Sequence, residues 1–326
     1  MELFKRYPGF QLKLDKVEQV IQQQVKSSFP LISDMLTELV EAGGKRLRPA
    51  CVLLGGEFGS PGDGAEKEKL LKVAAAVEIL HMATLIHDDI IDEASLRRGE
   101  ATINFQFGKE VAVFSGDYLF CQAFDLLADY KKEDFLNYVS RIIRRICEGE
   151  IEQFFNRYSV DLSIRDYLRR IRRKTALLFG MSFFVGGKTA GLDDDLLHRL
   201  EKVGIAMGMG FQIIDDLLDV QGSVEVIGKD AMNDFSQGIY NFPIILRLAD
   251  ESDSGPLTRL LQQGDLSAEE KKEVYRLLKA GGYLERSRMW AERYFARAVR
   301  IIQGLPDIEA RIILQDLVRW VGERNY

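Results

Sequence analysis

Apolar residues recur along this chain three and four positions apart, and no long series of alternating segments competes with that helical spacing. The pattern predicts helices over 17–25 and 30–41, ahead of a Gly43-Gly44 break, and another starting at Arg48. Residues 57–64 hold Gly59, Ser60, Pro61, Gly62 and Gly64 and read as a loop. A long helix follows over 66–92, favoured by Ala74, Ala75 and Ala76. Further helical patterns cover 109–129, 132–158, 164–186, 193–219, 241–247, 267–281, 283–304 and 306–322. Loops are expected at 97–102 and 221–238, each directly after a cluster of aspartates.

Those aspartates carry the chemistry. Asp88 and Asp92 stand four residues apart, on nearly one helix face, with Asp89 beside them. Asp215, Asp216 and Asp219 repeat the spacing. Six carboxylates at two apolar helix ends would repel one another in a dry bundle. A divalent cation relieves that repulsion and can bridge to an anionic substrate. Magnesium suits an environment of carboxylates, water and diphosphate oxygens. A single cluster of this kind is commonly a solvated helix terminus; two in one helical chain point to more. Gly208 lies on the Asp215 stripe. With Gly204 and Gly210 it weakens the helix, which marks either a close helix crossing or room for a ligand.

Basic residues complement the acidic turns. Gly43-Gly44-Lys45-Arg46-Leu47-Arg48-Pro49 places cations on a turn ahead of a helix. Arg97 and Arg98 follow the first acidic turn, and Gly99 allows a tight reversal. The first segment lacks the spacing and terminal hydroxyl of a P-loop. Together these cations suit a pair of diphosphates, one held through metal and the other by direct Arg and Lys contacts.

Composition narrows the setting. With 326 residues, 46% hydrophobic, the chain can bury a large core in one domain or two closely joined ones. A net charge of -6 gives no reason to expect a nucleic-acid partner. Cys51, Cys121 and Cys147 are odd in number and far apart, which favours a reducing compartment. The amino terminus lacks the apolar segment of a secretory signal. The longest greasy stretch, 176–187, is too short to cross a bilayer. A cytoplasmic protein is expected.

At this point the sequence resembles the trans-type polyprenyl diphosphate synthase family over nearly its whole length, and within it the bacterial heptaprenyl subgroup. The resemblance rests on 88–92 followed by Arg97-Arg98-Gly99, on 215–219, and on GGKRLRP. Gly149-Glu150-Ile151-Glu152-Gln153, Lys174-Thr175 and Phe211-Gln212-Ile213-Ile214 also match. It implies a single synthase domain over 1–326 with the all-α isoprenoid synthase fold, a large helical bundle around a central elongation cavity. Asp88, Asp89, Asp92, Asp215 and Asp219 are then expected to bind three magnesium ions with the allylic diphosphate, and Asp216 to lie near them. Arg97, Lys174 and Lys229 would contact that diphosphate. Lys45, Arg48, His81 and Arg98 would hold isopentenyl diphosphate. Thr175 and Gln212 would line the pocket at the reacting end. His87 is expected to pack or hydrogen-bond near the first acidic turn.

The small Ala83 and Thr84, with Leu80, Val77 and Ala76 below them, would open a corridor for a growing chain. The resemblance further implies a homodimer, or a heterodimer with a small noncatalytic subunit, and a long apolar product makes transient membrane contact sensible. One segment departs from the family. After Gly228-Lys229, Gln237, Ile239 and Asn241 replace commonly acidic, basic and threonine residues, which leaves substrate preference open. A terpene cyclase and a noncatalytic regulatory subunit are the competing readings.

Overall fold

The computed structural model describes residues 2–59, 64–97, 99–128, 130, 133–225, 235, 237–251, 255–264 and 266–323. After a short 3-10 turn at Glu2–Arg6, the first helices are α1 (Pro8–Gln24), α2 (Pro30–Glu41), α3 (Leu47–Glu57) and α4 (Gly64–Ile91). A two-stranded hairpin, β1 (Leu96–Arg97) and β2 (Glu100–Ala101), leads into α5 (Ile103–Phe107), α6 (Lys109–Ala128) and α7 (Glu133–Phe155). Next come α8 (Ile164–Ile171), a π-turn (Arg172–Ala176), α9 (Leu177–Thr189) and α10 (Asp194–Glu225). The described chain closes with α11 (Phe242–Asp250), α12 (Pro256–Leu261), α13 (Ala268–Ala280), α14 (Tyr283–Gln303) and α15 (Glu309–Gly322).

Among the described residues the chain is all-α apart from the hairpin, and α2 falls on its expected residues. Three differences bear on function. The single helix expected over 164–186 is interrupted by the π-turn, which carries Lys174 and Thr175. Helix α10 continues past Asp219 to Glu225, because its buried stripe of Ile213, Leu217 and Val220 does not stop at the aspartates. The second acidic cluster therefore lies within a helix, not at its end. The loop expected from 221 starts later, and residues 226–234 and 236 lie outside the described residues, as do 60–63 of the loop expected at 57–64.

The chain divides into two compact units. One comprises residues 1–139, 181–201 and 306–313; the other comprises 140–180, 202–305 and 314–326. In the first, α4 forms the core. Its residues from Val73 to Leu80 are buried on every side, as a helix apolar all round must be. Both α4 and α6 are long and apolar enough to span a bilayer by length and composition alone. The stretch 176–187 is not among them, and α4 is apolar over a longer span despite Glu78 and His81. Most of α4 is buried in its unit, whereas α6 leaves Val113, Phe114 and Phe124 exposed. Close backbone approach builds the same unit. A Cβ on Gly186 would lie 1.9 Å from the Val52 carbonyl oxygen.

The second unit packs Tyr167, Ile213, Leu217, Tyr240, Phe242 and Ile245 into one cluster. The Tyr167 and Phe242 rings stack with centroids 4.6 Å apart. Gly204, Gly208 and Gly210 face filled space. A Cβ at each would sit 2.6 Å from the Phe179 carbonyl oxygen, 2.6 Å from the Ala176 Cα and 2.7 Å from the Phe295 ring, respectively. Of the two readings left open by the sequence, the structure supports close helix crossing.

Candidate active site

In the first unit, Asp88 lies in the last turn of α4 and Asp92 directly follows its end, and both are half-buried. The Asp92 N–H donates to the Asp88 carbonyl at 2.8 Å, so the turn stays helical through the pair. Glu93 then takes φ +49° and ends the helix. Carboxylates at a helix C-terminus face the negative end of the backbone dipole, the costlier of the two ends for them. A cation there offsets both that field and their mutual repulsion.

Asp89 points elsewhere. It is 7% exposed and accepts the Arg97 Nε–H at 2.8 Å. Burial holds its carboxyl above the usual range, against the opposing pull of the Arg97 guanidinium. The hairpin delivers that arginine. Leu96 pairs with Ala101 and Arg97 with Glu100 across a turn at Gly99, φ +86°. Thr102 locks the hairpin's exit, donating to the Ala94 carbonyl at 2.6 Å and accepting from the Phe105 N–H at 3.1 Å. Arg98 lies outside the described residues.

In the GGKRLRP segment the structural anchor is Arg46, which sequence reasoning did not single out. It takes φ +45° ahead of α3. Its guanidinium donates to both Glu18 oxygens at 2.7 and 2.8 Å, to Glu78 at 3.1 Å and to the Val40 carbonyl at 2.9 Å. Burial works against its charge, and the two carboxylates more than restore it. Nothing in the spelling separates Arg46 from Arg48; only the fold does. With Arg46 committed inward, Lys45 is exposed and Arg48 is half-buried in the first turn of α3. Arg46→Ala should cost about 3–5 kcal/mol, since it strips the partner from the buried Glu78. Thermal melting checks this, and an unshifted melt would contradict the anchoring role.

His81 is half-buried on α4 and lines a cavity of about 300 Å³ together with Glu78, Arg46, Asp89 and Arg97. Lys45 and Arg48 are not in its wall. Ala76, Val77, Leu80 and Ala83 are buried in the α4 core, Ala83 at 0% exposure. Thr84 is half-buried and donates to the His81 carbonyl at 2.7 Å. His87 packs as expected. Its ring sits 5.6 Å from Phe120 in a notch left by Gly116, where a Cβ would lie 2.3 Å from its Nε2.

In the second unit Asp215 is exposed and Asp219 half-buried, four residues apart on α10. Asp216 is buried and fully engaged. Its Oδ2 accepts the Tyr167 hydroxyl at 2.8 Å and the Phe242 N–H at 3.0 Å, and its Oδ1 accepts from Gln212 Nε2 at 2.9 Å. Burial and the adjacent Asp216 charge hold the Tyr167 phenol well above its ordinary pKa, so it remains a donor. Gln212 Oε1 in turn accepts the Thr175 hydroxyl at 2.6 Å. The structure thus joins Thr175, Gln212 and Asp216 in one chain of bonds. Lys174, next to Thr175, lies 2.8 Å from Glu150.

Lys229 lies outside the described residues. In the segment after it, Ile239 is buried, which accounts for an aliphatic side chain where a base is common. Asn241 is buried with both amide atoms lacking a partner, and it makes no side-chain cap on α11.

Among the described residues, no group of three or more His, Cys, Asp or Glu side chains is gathered as a metal cage. Magnesium does not require one. It keeps several waters and binds through one or two carboxylates plus substrate phosphate. The Asp88/Asp92 and Asp215/Asp219 pairs are hard oxygen donors of that kind, so the residues fit the ion.

An all-α chain with two such acidic pairs and basic residues beside them has the character of a diphosphate-handling enzyme. Residues 29–278 match the polyprenyl synthetase family. Over all 326 residues the chain is 37% identical to heptaprenyl diphosphate synthase component 2 of Geobacillus stearothermophilus, covering 100% of both proteins. The solved heptaprenyl diphosphate synthase of Staphylococcus aureus superposes with a TM-score of 0.90 at 32% identity, covering 97% of this chain and 99% of that one. The geranylgeranyl pyrophosphate synthase of Lactobacillus brevis gives 0.93 at 31% identity, covering 99% of each. The chain belongs to the polyprenyl synthetase family. It is a trans-prenyltransferase with the isoprenoid-synthase fold, condensing isopentenyl diphosphate with an allylic diphosphate, and members of its family depend on magnesium.

Proposed function

We propose that this chain, acting as a single synthase domain, adds successive isopentenyl units to an allylic diphosphate. The product is an all-trans polyprenyl diphosphate of six to eight isoprene units, with heptaprenyl favoured. The observation that carries the reading is two solvent-accessible carboxylate pairs: Asp88/Asp92, whose neighbour Asp89 holds Arg97, and Asp215/Asp219, on the helix whose Gln212 bonds Thr175 next to Lys174. The end-to-end likeness to a heptaprenyl synthase component supports the length. The likeness to a solved geranylgeranyl synthase, at 31% identity and a TM-score of 0.93, shows why length needs its own test.

Of the five carboxylates expected to bind magnesium we assign Asp88, Asp92, Asp215 and Asp219 to it, three ions in all, and withdraw Asp89 because it is buried and taken by Arg97. Asp89 and Asp216 hold Arg97 and the α11 terminus in place. Magnesium, when bound, supplies Lewis acidity to the departing diphosphate. Arg97, Lys174 and Lys229 add cationic donors where negative charge grows as the allylic C–O bond breaks. Lys45, Arg48, His81 and Arg98 orient isopentenyl diphosphate so that its double bond meets the allylic carbon. Thr175 and Gln212 line the reacting end. Apolar walls exclude water from the cation, and loss of a proton to the released diphosphate leaves the new trans double bond.

The elongation corridor runs beside Ala83 and Thr84 toward Leu80, Val77 and Ala76, each helical turn measuring about 5.4 Å. Ala83→Phe should shorten the product by one or more isoprene units in mass spectrometry. A folded, active variant with unchanged product length would remove Ala83 from the corridor. The exposed Val113, Phe114 and Phe124 on α6 suit a second copy of the chain or a small noncatalytic subunit. Particle mass in solution at rising concentration tests the former. The setting we propose is cytoplasmic, with transient membrane contact as the product lengthens.

The test of function is incubation with isopentenyl diphosphate and geranyl, farnesyl or geranylgeranyl diphosphate in turn. Products heavier by whole C5 units, centred on heptaprenyl, are expected. A cyclised product made without isopentenyl diphosphate would overturn the reading.

A further inference from the structure

The residues of the Gly149–Gln153 segment of α7 have separate tasks. Glycine in a helix interior weakens it. At Gly149 the reason is contact, since a Cβ would lie 2.7 Å from the Arg173 Cβ and 3.3 Å from the Lys174 backbone nitrogen. Helix α7 is therefore pressed against the π-turn. Glu152 fastens the two together, one oxygen accepting from Arg169 at 2.7 Å and the other from Arg173 at 2.9 Å. Glu150 makes a different bond, with its Oε2 2.8 Å from Lys174 Nζ. The backbone under Lys174 is already fixed, because Thr175 is tied to Gln212 and Gln212 to Asp216. Glu150 holds the far end of the four-carbon lysine stem.

We propose that Glu150 is a positioning residue for Lys174, aiming its ammonium at the allylic diphosphate through the close approach that Gly149 permits. This rests on the prenyl-transfer reading above. An ammonium carries three N–H donors, so fixing one on Glu150 sets the direction of the others without having to be broken. A lysine ordered before the substrate arrives loses less rotamer freedom on binding. The opposing effect is Coulombic, since a carboxylate near the site repels the incoming diphosphate. The two effects separate by substitution. Glu150→Gln removes the charge and keeps an oxygen acceptor at the same reach, whereas Glu150→Ala removes both.

The experiment measures magnesium-dependent binding of farnesyl thiolodiphosphate, an unreactive allylic analogue, by calorimetry on the full chain. Glu150→Ala should weaken binding about 10-fold, and Glu150→Gln should stay within about threefold of wild type or bind more tightly. Adding Glu150→Ala to Lys174→Ala should cost less than about twofold more, because the effect acts through the lysine. The melting temperature of Glu150→Ala should stay within about 2 °C, since a partly exposed ion pair contributes little to folding. Unchanged or tighter binding in Glu150→Ala, or a full loss that persists in the Lys174→Ala background, overturns the inference. Failure of wild type to bind the analogue would overturn the prenyl-transfer reading itself, so the two failures are distinct.

Discussion

Alanine at Asp88 or Asp215 should lower condensation roughly 100- to 1000-fold, the range seen when one electrostatic partner of a developing charge is removed. The melting temperature should stay unchanged or rise slightly. Both parts follow from placement. Asp88 is half-buried at the C-terminal end of α4, where losing a negative charge favours the helix dipole. Asp215 is exposed within α10, where alanine is the better helix former. The helix-end field at Asp88 and the lower helix propensity at Asp215 are costs that a bound cation would offset. Initial rates at saturating substrates, alongside thermal melts, check both halves. Near wild-type rates in both variants would sink the assignment.

Asp216→Ala should act in the opposite sense, on the fold first. Its carboxylate serves the buried Tyr167 hydroxyl and the Phe242 N–H. The latter is one of the donors at the start of α11 that the helix itself cannot satisfy. The adjacent Asn241 makes no side-chain cap, so a residue of another helix caps α11 instead. Removing Asp216 strands both donors in the core, at about 1–3 kcal/mol each, and adds lost packing. A loss of about 3–5 kcal/mol is expected, read as a melting temperature lower by roughly 5–10 °C. Tyr167→Phe keeps the ring stack on Phe242 and gives up one bond, so about 1–2 kcal/mol is expected. A melt of Asp216→Ala that matches wild type would mean the three bonds carry no net stability.

The contrast between neighbouring aspartates shows what could be read along the chain. The i, i+4 spacing of 88/92 and 215/219 was legible because helical periodicity alone puts those carboxylates on one face. The buried middle aspartates were legible in principle. Asp89 continues the buried stripe of Met82 and Ile86, and Asp216 continues that of Met209 and Ile213, so position on the core face marks each as a bonded residue. Arg46 left no such trace, because its anchors Glu18 and Glu78 are distant in sequence and only folding assembles them. The π-turn was also invisible, since Arg172–Ala176 has ordinary helical composition, and the α7 residue packed closely against it, Gly149, is distant in sequence. The length of α10 was underestimated at the aspartates because acidic residues resemble a helix end, while the buried Val220 beyond them continues the core.

The most direct measurement of the central claim follows manganese(II), an octahedral oxygen-binding substitute for magnesium, by electron paramagnetic resonance. Farnesyl thiolodiphosphate is added to wild type and to the Asp88→Ala and Asp215→Ala variants. The account predicts that the metal binds tightly to wild type only with the analogue present, and that each substitution weakens this binding at least about 10-fold. Metal binding that is indifferent to the analogue, or that survives intact in both variants, would contradict it.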